Sequence, residues 1–352
     1  MTIFFDAIVG QETAIAALQN ILRSGQISQS YILSGEKGSG KQDLAMAFAA
    51  ALQCTNPSRE SGRIQACGRC RSCRQILAGS HPDLITVTNE WAGVQTKSGT
   101  IGVKTARFVQ TDVGVRPGQG EYKIYVIPNA QNLNQQAQNA LLKTLEEPPS
   151  YAVFLLLSEN TSAFLPTVRS RSVQIPLKAV SEEALLAMLK AQGITGENAS
   201  LSARLSHGNP GRCLELACSE EKKRLRTRMK ELFRKMPQVT SLEIAAFSES
   251  LVPNKKEGDS TQSGLEEFLD LGRSWFRDLL VAKTCGADPD RLIFQDEIQY
   301  INMIAARISM TALEAILRAF DQADRCRAAK VNEVQIAETL LLQIRRAMSD
   351  PA

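Results

Sequence analysis

Two short stretches combine residue types at spacings that suit chemistry. The run from Gly35 to Gln42, GEKGSGKQ, fits G-x-x-x-x-G-K and stands between an apolar run, SYILS, and an alanine-rich run, DLAMAFAAAL. Between a strand and a helix, glycines at Gly35, Gly38 and Gly40 let consecutive backbone N–H groups face a phosphate. Lys41 neutralises that phosphate at the positive end of the helix. ADP or ATP is the expected ligand, held without hydrolysis by Gly35, Gly38, Gly40, Lys41 and Gln42; a glycine-rich turn that binds no ligand is the alternative. The residue after the lysine is ordinarily Ser or Thr, whose hydroxyl ligates magnesium; Gln42 offers only a carbonyl oxygen on a longer arm.

The second stretch holds Cys54, Cys67, Cys70 and Cys73, four of the eight cysteines, as C-x12-C-x2-C-x2-C. Thiolates two residues apart on a tight turn reach one ion, and four complete the soft tetrahedral shell of zinc. The sequence between them is poor in apolar residues, so metal cross-linking is expected to hold its fold. Iron–sulfur ligation and unliganded thiols are the alternatives. With no histidine nearby and no open ligand position, the expected zinc is structural. Arg59, Arg63, Arg69, Arg71 and Arg74 surround it, either as a solvated basic face or as a surface for a partner or DNA.

Hydrolysis of a bound triphosphate needs an acid for magnesium and usually a second to orient water, both at the end of the next strong strand. In YKIYVIPNAQ those positions are Pro128 and Asn129, neither of them a carboxylate. Asp112 and Glu121 precede the strand and Glu146 lies well along the following helix, so none is expected to substitute. Arg169 and Arg171 flank Ser170 just before a β-run. They are either surface residues or groups presented at a domain edge to the nucleotide of a neighbouring subunit, Arg171 foremost.

These residues need a scaffold. Apolar runs at SYILSG, DLITVT, YKIYVIP, AVFLLLS and SVQIPL read as strands of a mostly parallel sheet, and with the intervening helices they predict an α/β domain. Ile15, Leu18, Ile21 and Leu22 at helical spacing predict an amphipathic helix ending near Gly25. From Ser181 the pattern is helical only: SEEALLAMLKAQG, a short helix in NASLSARLSHG, a turn at GNPG, then long helical segments to the end. PNKKEGDSTQSG is polar and reads as an exposed or disordered loop. The expected division is 1–178, carrying the cysteine module at 54–73, then a small helical domain at 179–213 and an all-helical domain at 214–352. Dense apolar residues from Leu265 to Leu280, more than one helix face covers, point to an oligomerisation role for the last, with ordinary internal packing as the alternative for much of this density.

The 352 residues, 43% hydrophobic, suffice for two or three domains. A formal charge of +4, from 41 Lys and Arg against 37 Asp and Glu, is too balanced for a dedicated nucleic-acid wrapper. No leader-like stretch precedes FFDAIVGQ and no apolar run approaches the roughly twenty residues that span a bilayer. A cytoplasmic location without membrane contact is expected.

The combination of FFDAIVGQ, GEKGSGK, the four cysteines, NALLKTLEEPP (139–149), TVRSRS (167–172) and SHGNPGR (206–212) resembles the clamp-loader family of AAA+ proteins of bacterial DNA polymerase III. The resemblance covers about residues 1–215. It implies an AAA+ phosphate-loop domain with an inserted zinc module, a helical lid and a helical collar. The family's trans-acting arginine sits in Ser-Arg-Cys; here Ser170, Arg171 and Ser172 keep the arginine and replace the cysteine. A second family arginine lies in G-x-x-R at the start of a lid helix. In Gly208-Asn209-Pro210-Gly211-Arg212 it is displaced by one position, about 100° round a helix, which puts the reach of Arg212 to the phosphate in doubt. Motor members of the gamma/tau type carry Asp-Glu where this chain has Pro128-Asn129, so the departure implies the non-hydrolysing class. The alternative is a gamma/tau-like ATPase motor. The implied assembly is a hetero-pentamer with motor subunits and a delta-like subunit that loads the sliding clamp onto primer-template DNA, polymer synthesis belonging to another subunit.

Overall fold

The computed structural model describes residues 2–59, 62–95, 99–252 and 264–349. The polar stretch expected to be a loop, at 253–263, lies outside the described residues. The chain divides into two compact units: Met1–Met188 with Gly208–Arg212, and Leu189–His207 with Cys213–Ala352.

In the first unit the five apolar runs become β1 (Ser30–Ser34), β2 (Leu84–Thr86), β3 (Lys123–Ile127), β4 (Ala152–Ser158) and β5 (Val173–Pro176). All pair in parallel, in the order β2-β3-β4-β1-β5, with Ile32 opposite both Leu156 and Gln174 and with Ile124 opposite Val153. Helix α1 (Glu12–Ser24) precedes the sheet, and the crossovers that parallel pairing requires are supplied by α2 (Lys41–Gln53), α3 (Arg71–Leu77), α4 (Val103–Val113), α5 (Gln135–Glu146) and the short α6 (Pro166–Arg169). Because side chains alternate along a strand, each run feeds two cores. Tyr31, Leu33, Ile124, Val126 and Val153 face Leu18, Leu44 and Phe48, whereas Ile32, Tyr125, Ile127 and Phe154 face Ala106, Ala137 and Leu141. α4 carried no clear sequence signal, since it has four buried residues and no side-chain cap.

One buried acid braces this sheet. The carboxylate of Asp83, just before β2, accepts from the N–H groups of Gly118, Gln119 and Gly120 at 2.7, 2.8 and 2.9 Å, fixing the loop that feeds β3.

The rest of the chain is helical: α7 (Glu182–Ala191), α8 (Glu197–Leu205), α9 (Pro210–Cys218), α10 (Glu220–Arg234), α11 (Ser241–Ser250), α12 (Gly264–Cys285), α13 (Ile298–Arg307), α14 (Met310–Ala328) and α15 (Glu333–Ser349). Two readings of the sequence change here. GNPG is not wholly a turn, because Pro210 opens α9, a position where its missing N–H costs nothing. The long segment after Gly211 is two helices, since the Ser219 hydroxyl caps the Lys222 N–H and starts α10 afresh. The apolar residues of α12 lie inside the second unit: Leu265, Phe268, Leu269, Leu271, Trp275, Phe276 and Leu279 are buried and Leu280 half-buried. Their density thus reflects internal packing around Phe233 and Phe320. No helix among the described residues is long and apolar enough to cross a membrane.

Candidate functional site

The phosphate loop joins β1 to α2 as its sequence predicts. Gly38 and Gly40 take φ of 87° and 93°, the left-handed region that a side chain disfavours. The loop is bonded within its own fold. The Lys41 Nζ donates to the carbonyls of Gly35 and Glu36 at 2.6 and 2.7 Å, and burial lowers its pKa against the charges of Glu159 and Glu36. The Asn209 Nδ2 donates to the Lys37 carbonyl at 2.7 Å, and the Gly211 N–H donates to the Gly38 carbonyl at 2.9 Å. Asn209 also caps α9, its Oδ1 accepting from the Arg212 N–H at 3.1 Å, so Arg212 stands in the first turn of that helix. Gln42 is exposed on the outer side of α2. Sequence reasoning missed Asn209; the signal was an Asn directly before Pro at the first helical position.

At the end of β3, Asn129 adopts φ 51° and ψ 45° and starts a single turn at Ala130–Asn132. Pro128 and Asn129 open on a cleft of about 840 Å³ where the amides of Asn89, Asn129 and Asn132 stand, with Glu90 as its one carboxylate among the described residues. The end of the strand therefore presents neutral amides, which are acceptors far weaker as bases than carboxylates.

Arg171 follows α6 and is partly exposed. Its Nη2 pairs with Glu146 Oε1 at 2.9 Å and its Nη1 donates to the Thr167 carbonyl at 3.1 Å. Glu146 ends α5 within the LEEPP run, so two separate sequence motifs meet in this ion pair. Ser172, where the family resemblance expects cysteine, bonds Ser30 Oγ at 2.7 Å and donates to the Val168 carbonyl at 2.9 Å, tying the segment to the first residue of β1. Arg169 is exposed at the end of α6.

The four cysteines converge. Their Sγ atoms lie within 4.8 Å of one another, with Cys54 to Cys70 and Cys67 to Cys73 both at 4.0 Å. A zinc tetrahedron with bonds of about 2.3 Å needs sulfur–sulfur edges of about 3.8 Å, so the donor set fits zinc with little adjustment. Three backbone N–H groups already point at sulfur: Cys67 to Cys54 Sγ, Cys70 to Cys67 Sγ and Cys73 to Cys70 Sγ, at 3.3, 3.3 and 3.4 Å. Burial works to raise the Cys70 thiol, but the N–H of Cys73 and neighbouring bonds bring it down to about 6; burial pushes Cys73 up. A divalent cation would remove that mutual repulsion by stabilising every thiolate. Gly68, at φ 71°, makes the knuckle between Cys67 and Cys70, and a Cβ there would sit 2.9 Å from the Phe4 ring. The module is stitched to α1 by Gln19, which donates to the Ile64 carbonyl and accepts from the Ile64 N–H. Arg63 pairs with Asp6 at 2.7 Å, while Arg59, Arg69, Arg71 and Arg74 are exposed.

Residues 10–181 match the family model described as DNA polymerase III, delta subunit. The chain is 26% identical to DNA polymerase III subunit delta' of Bacillus subtilis over 334 residues, 95% of this chain and 96% of that one. It is 36% identical to subunit tau/gamma of Haemophilus influenzae over 194 residues, 55% of this chain and 26% of the relative. Against subunit tau of Escherichia coli it is 37% identical over 180 residues, 51% of this chain and 26% of the relative. The chain thus spans nearly all of the delta' relative and about a quarter of these two tau-type relatives. Matched along nearly its whole length by one such subunit and through its α/β half by the others, the chain is homologous to the AAA+-like clamp-loader subunits delta', gamma and tau of DNA polymerase III.

Proposed function

We propose that this chain is a delta prime-like subunit of the DNA polymerase III clamp loader that does not split ATP itself and lends Arg171 to nucleotide held by a neighbouring subunit. The observation that carries this reading is the strand end at Pro128 and Asn129, which lacks a carboxylate while a partly exposed guanidinium stands on the same unit. A guanidinium aimed at a γ-phosphate neutralises charge that develops as the bond to the leaving group breaks. In this reading the four cysteines hold a structural zinc, residues 1–178 are the AAA+ core, 179–213 the lid and 214–352 the collar. The collar joins motor subunits of the gamma/tau type and a delta-like subunit in a pentamer that places the sliding clamp on primer-template DNA. Any ADP or ATP taken up by Gly35, Gly38, Gly40, Lys41, Gln42 and Arg212 would have to displace the contacts of Asn209 and Gly211, and no step of the proposal runs through it.

A second reading, a gamma/tau-like ATPase, is favoured by the 36–37% identity to tau-type relatives across the α/β half. It would have to use Glu159, exposed just beyond β4, whose charge reaches Lys41. Steady-state ATP turnover by the purified chain separates the two. Turnover at background supports the arginine-donor role; substantial turnover lost in both Lys41→Ala and Glu159→Gln establishes the motor.

A further inference from the structure

Helix α10 carries a row of cations along the side that packs into the helical unit, and all but one have carboxylate partners. Lys222 meets Glu215 and Glu267 at 2.8 and 2.9 Å. Lys230 is paired with Asp296 and lies 3.8 Å from Glu297, and Arg234 binds Glu297 through two nitrogens. Arg226 is the exception. It is only 9% exposed, and its one hydrogen bond runs from Nη2 to the neutral Oδ1 of Asn198 at 2.8 Å. Asn198 is itself fixed, because its Nδ2 donates to the Ala217 carbonyl at 3.1 Å. A guanidinium has five N–H donors, and this buried one has a single neutral acceptor and, among the described residues, no counter-charge at ion-pair distance, Asp296 and Glu267 acting on it from farther off.

The missing counter-charge has room. Arg226 lines a pocket of about 430 Å³, within the range of small-molecule sites, formed by the first turn of α8, by α10 and by the segment around Ile293 and Asp296. The first turn of a helix presents amides that lack intrahelical acceptors, together with the positive end of the helix dipole. On this turn Ser200 adds a half-exposed hydroxyl. Leu201 and Ile293 supply an apolar wall. The acids at the pocket limit what fits: Asp296 is taken up by Lys230, and Glu197 is exposed at the start of α8. One anionic group at Arg226 is matched, whereas a polyanion such as a nucleic-acid backbone would meet those carboxylates.

We infer that this pocket binds a small phosphate monoester, its phosphate on Arg226, Ser200 and the first turn of α8 and its organic part against Leu201 and Ile293. A three-oxygen anion uses the guanidinium fork, the hydroxyl and the helix amides together, which the two oxygens of a carboxylate cannot. The site is separate from the proposed arginine donor and does not depend on it.

The test uses the full chain at matched ionic strength, with glycerol phosphate, inorganic phosphate and malonate as probes in calorimetry and thermal unfolding. Glycerol phosphate binds and raises the Tm, inorganic phosphate does so more weakly, and Arg226→Met weakens the binding by about tenfold or more, as expected for loss of a charge-assisted anchor. Equal or tighter binding of malonate overturns the phosphate assignment. Absence of a glycerol phosphate effect beyond that of chloride, or an undiminished effect in the variant, overturns the site. If Arg226→Met does not fold, butanedione labelling of Arg226 in the unmodified chain decides: labelling slowed by glycerol phosphate supports the site, and labelling at an unchanged rate refutes it.

Discussion

Arg171→Ala should separate turnover from stability by several orders of magnitude, and the structure gives both numbers. In the isolated chain the guanidinium is spent on Glu146 and on the Thr167 carbonyl, with the two side chains 38% and 43% exposed. An ion pair that exposed contributes about 0–1 kcal/mol after solvent screening, so its loss should move the Tm very little. A trans-acting arginine, by contrast, is worth about 10³–10⁵ in turnover at the site it serves, or about 4–7 kcal/mol of transition-state stabilisation. The assay is DNA-stimulated ATP hydrolysis by the reconstituted complex, run beside thermal unfolding of the chain alone. Glu146→Gln is the control: it removes the same ion pair and leaves the guanidinium, so it should keep or raise turnover. Turnover within about twofold of the unsubstituted complex for Arg171→Ala refutes the reasoning. So does an equal loss for Glu146→Gln, which would make the pair itself the working part.

Three further outcomes are expected. Elemental analysis of protein kept reduced should find one zinc per chain, and its removal by chelator should open 54–76 to protease, because among the described residues of the module the Ser58–Gln65 bridge is the only regular pairing; metal-free protein with unchanged proteolysis counts against the site. Asp83→Asn should cost about 2 kcal/mol, since a charged acceptor of three amide bonds becomes neutral. Burial opposes ionisation of Asp83, but the amides of Gly118, Gly120 and Gln119 outweigh it and hold the carboxyl below its ordinary value. Its stabilisation is therefore complete above the unfolded carboxylate range near about 4 and is lost as pH falls through the lower folded value; acid titrations of stability for the two proteins should converge there, and parallel curves would refute the assignment.

Much of the α/β unit was legible because its three central strands, β3, β4 and β1, are continuous apolar runs buried on both faces, and because the cysteine spacing allows few geometries. The loop and first turn at Gly35–Lys41 likewise follow from local chemistry. What escaped was non-local. Glu146 and Arg171 are 25 positions apart, and nothing in either motif specifies their partner. Asp83 reads as one acid before a short strand until the amides of 118–120 arrive at its carboxylate. Arg226 reads as one cation in a charged helix, and only the carboxylates paired with Lys222 and Lys230 mark those two out from it. At α12 the dense apolar residues fitted internal packing as well as a partner, and their burial within their own unit accounts for the density without bearing on the oligomerisation role.

The phosphate loop shows why a motif and its ligand must be argued separately. Its glycines are explained without any nucleotide. A Cβ on Gly211 would stand 2.8 Å from the Gly38 Cα and 2.9 Å from the Gly38 carbonyl oxygen, and one on Gly38 would stand 2.6 Å from Asn209 Oδ1. The two backbones can approach to a 2.9 Å hydrogen bond only because neither residue has a side chain. Lys41 is accounted for in the same way, since its ammonium donates to the two loop carbonyls of Gly35 and Glu36. Gly38, at an x position of G-x-x-x-x-G-K, is thus required by packing against the start of α9, Gly40 by its φ of 93°, and Gly35 by Ser39 Oγ and Leu177 Cβ, 2.9 and 3.1 Å from where a Cβ would stand. The strand end is different: nothing in the packing of β3 forbids an acid at 128 or 129, where the chain opens onto an 840 Å³ cleft. The missing carboxylates are therefore the informative half of the site, and the intact loop is the half that says least about hydrolysis.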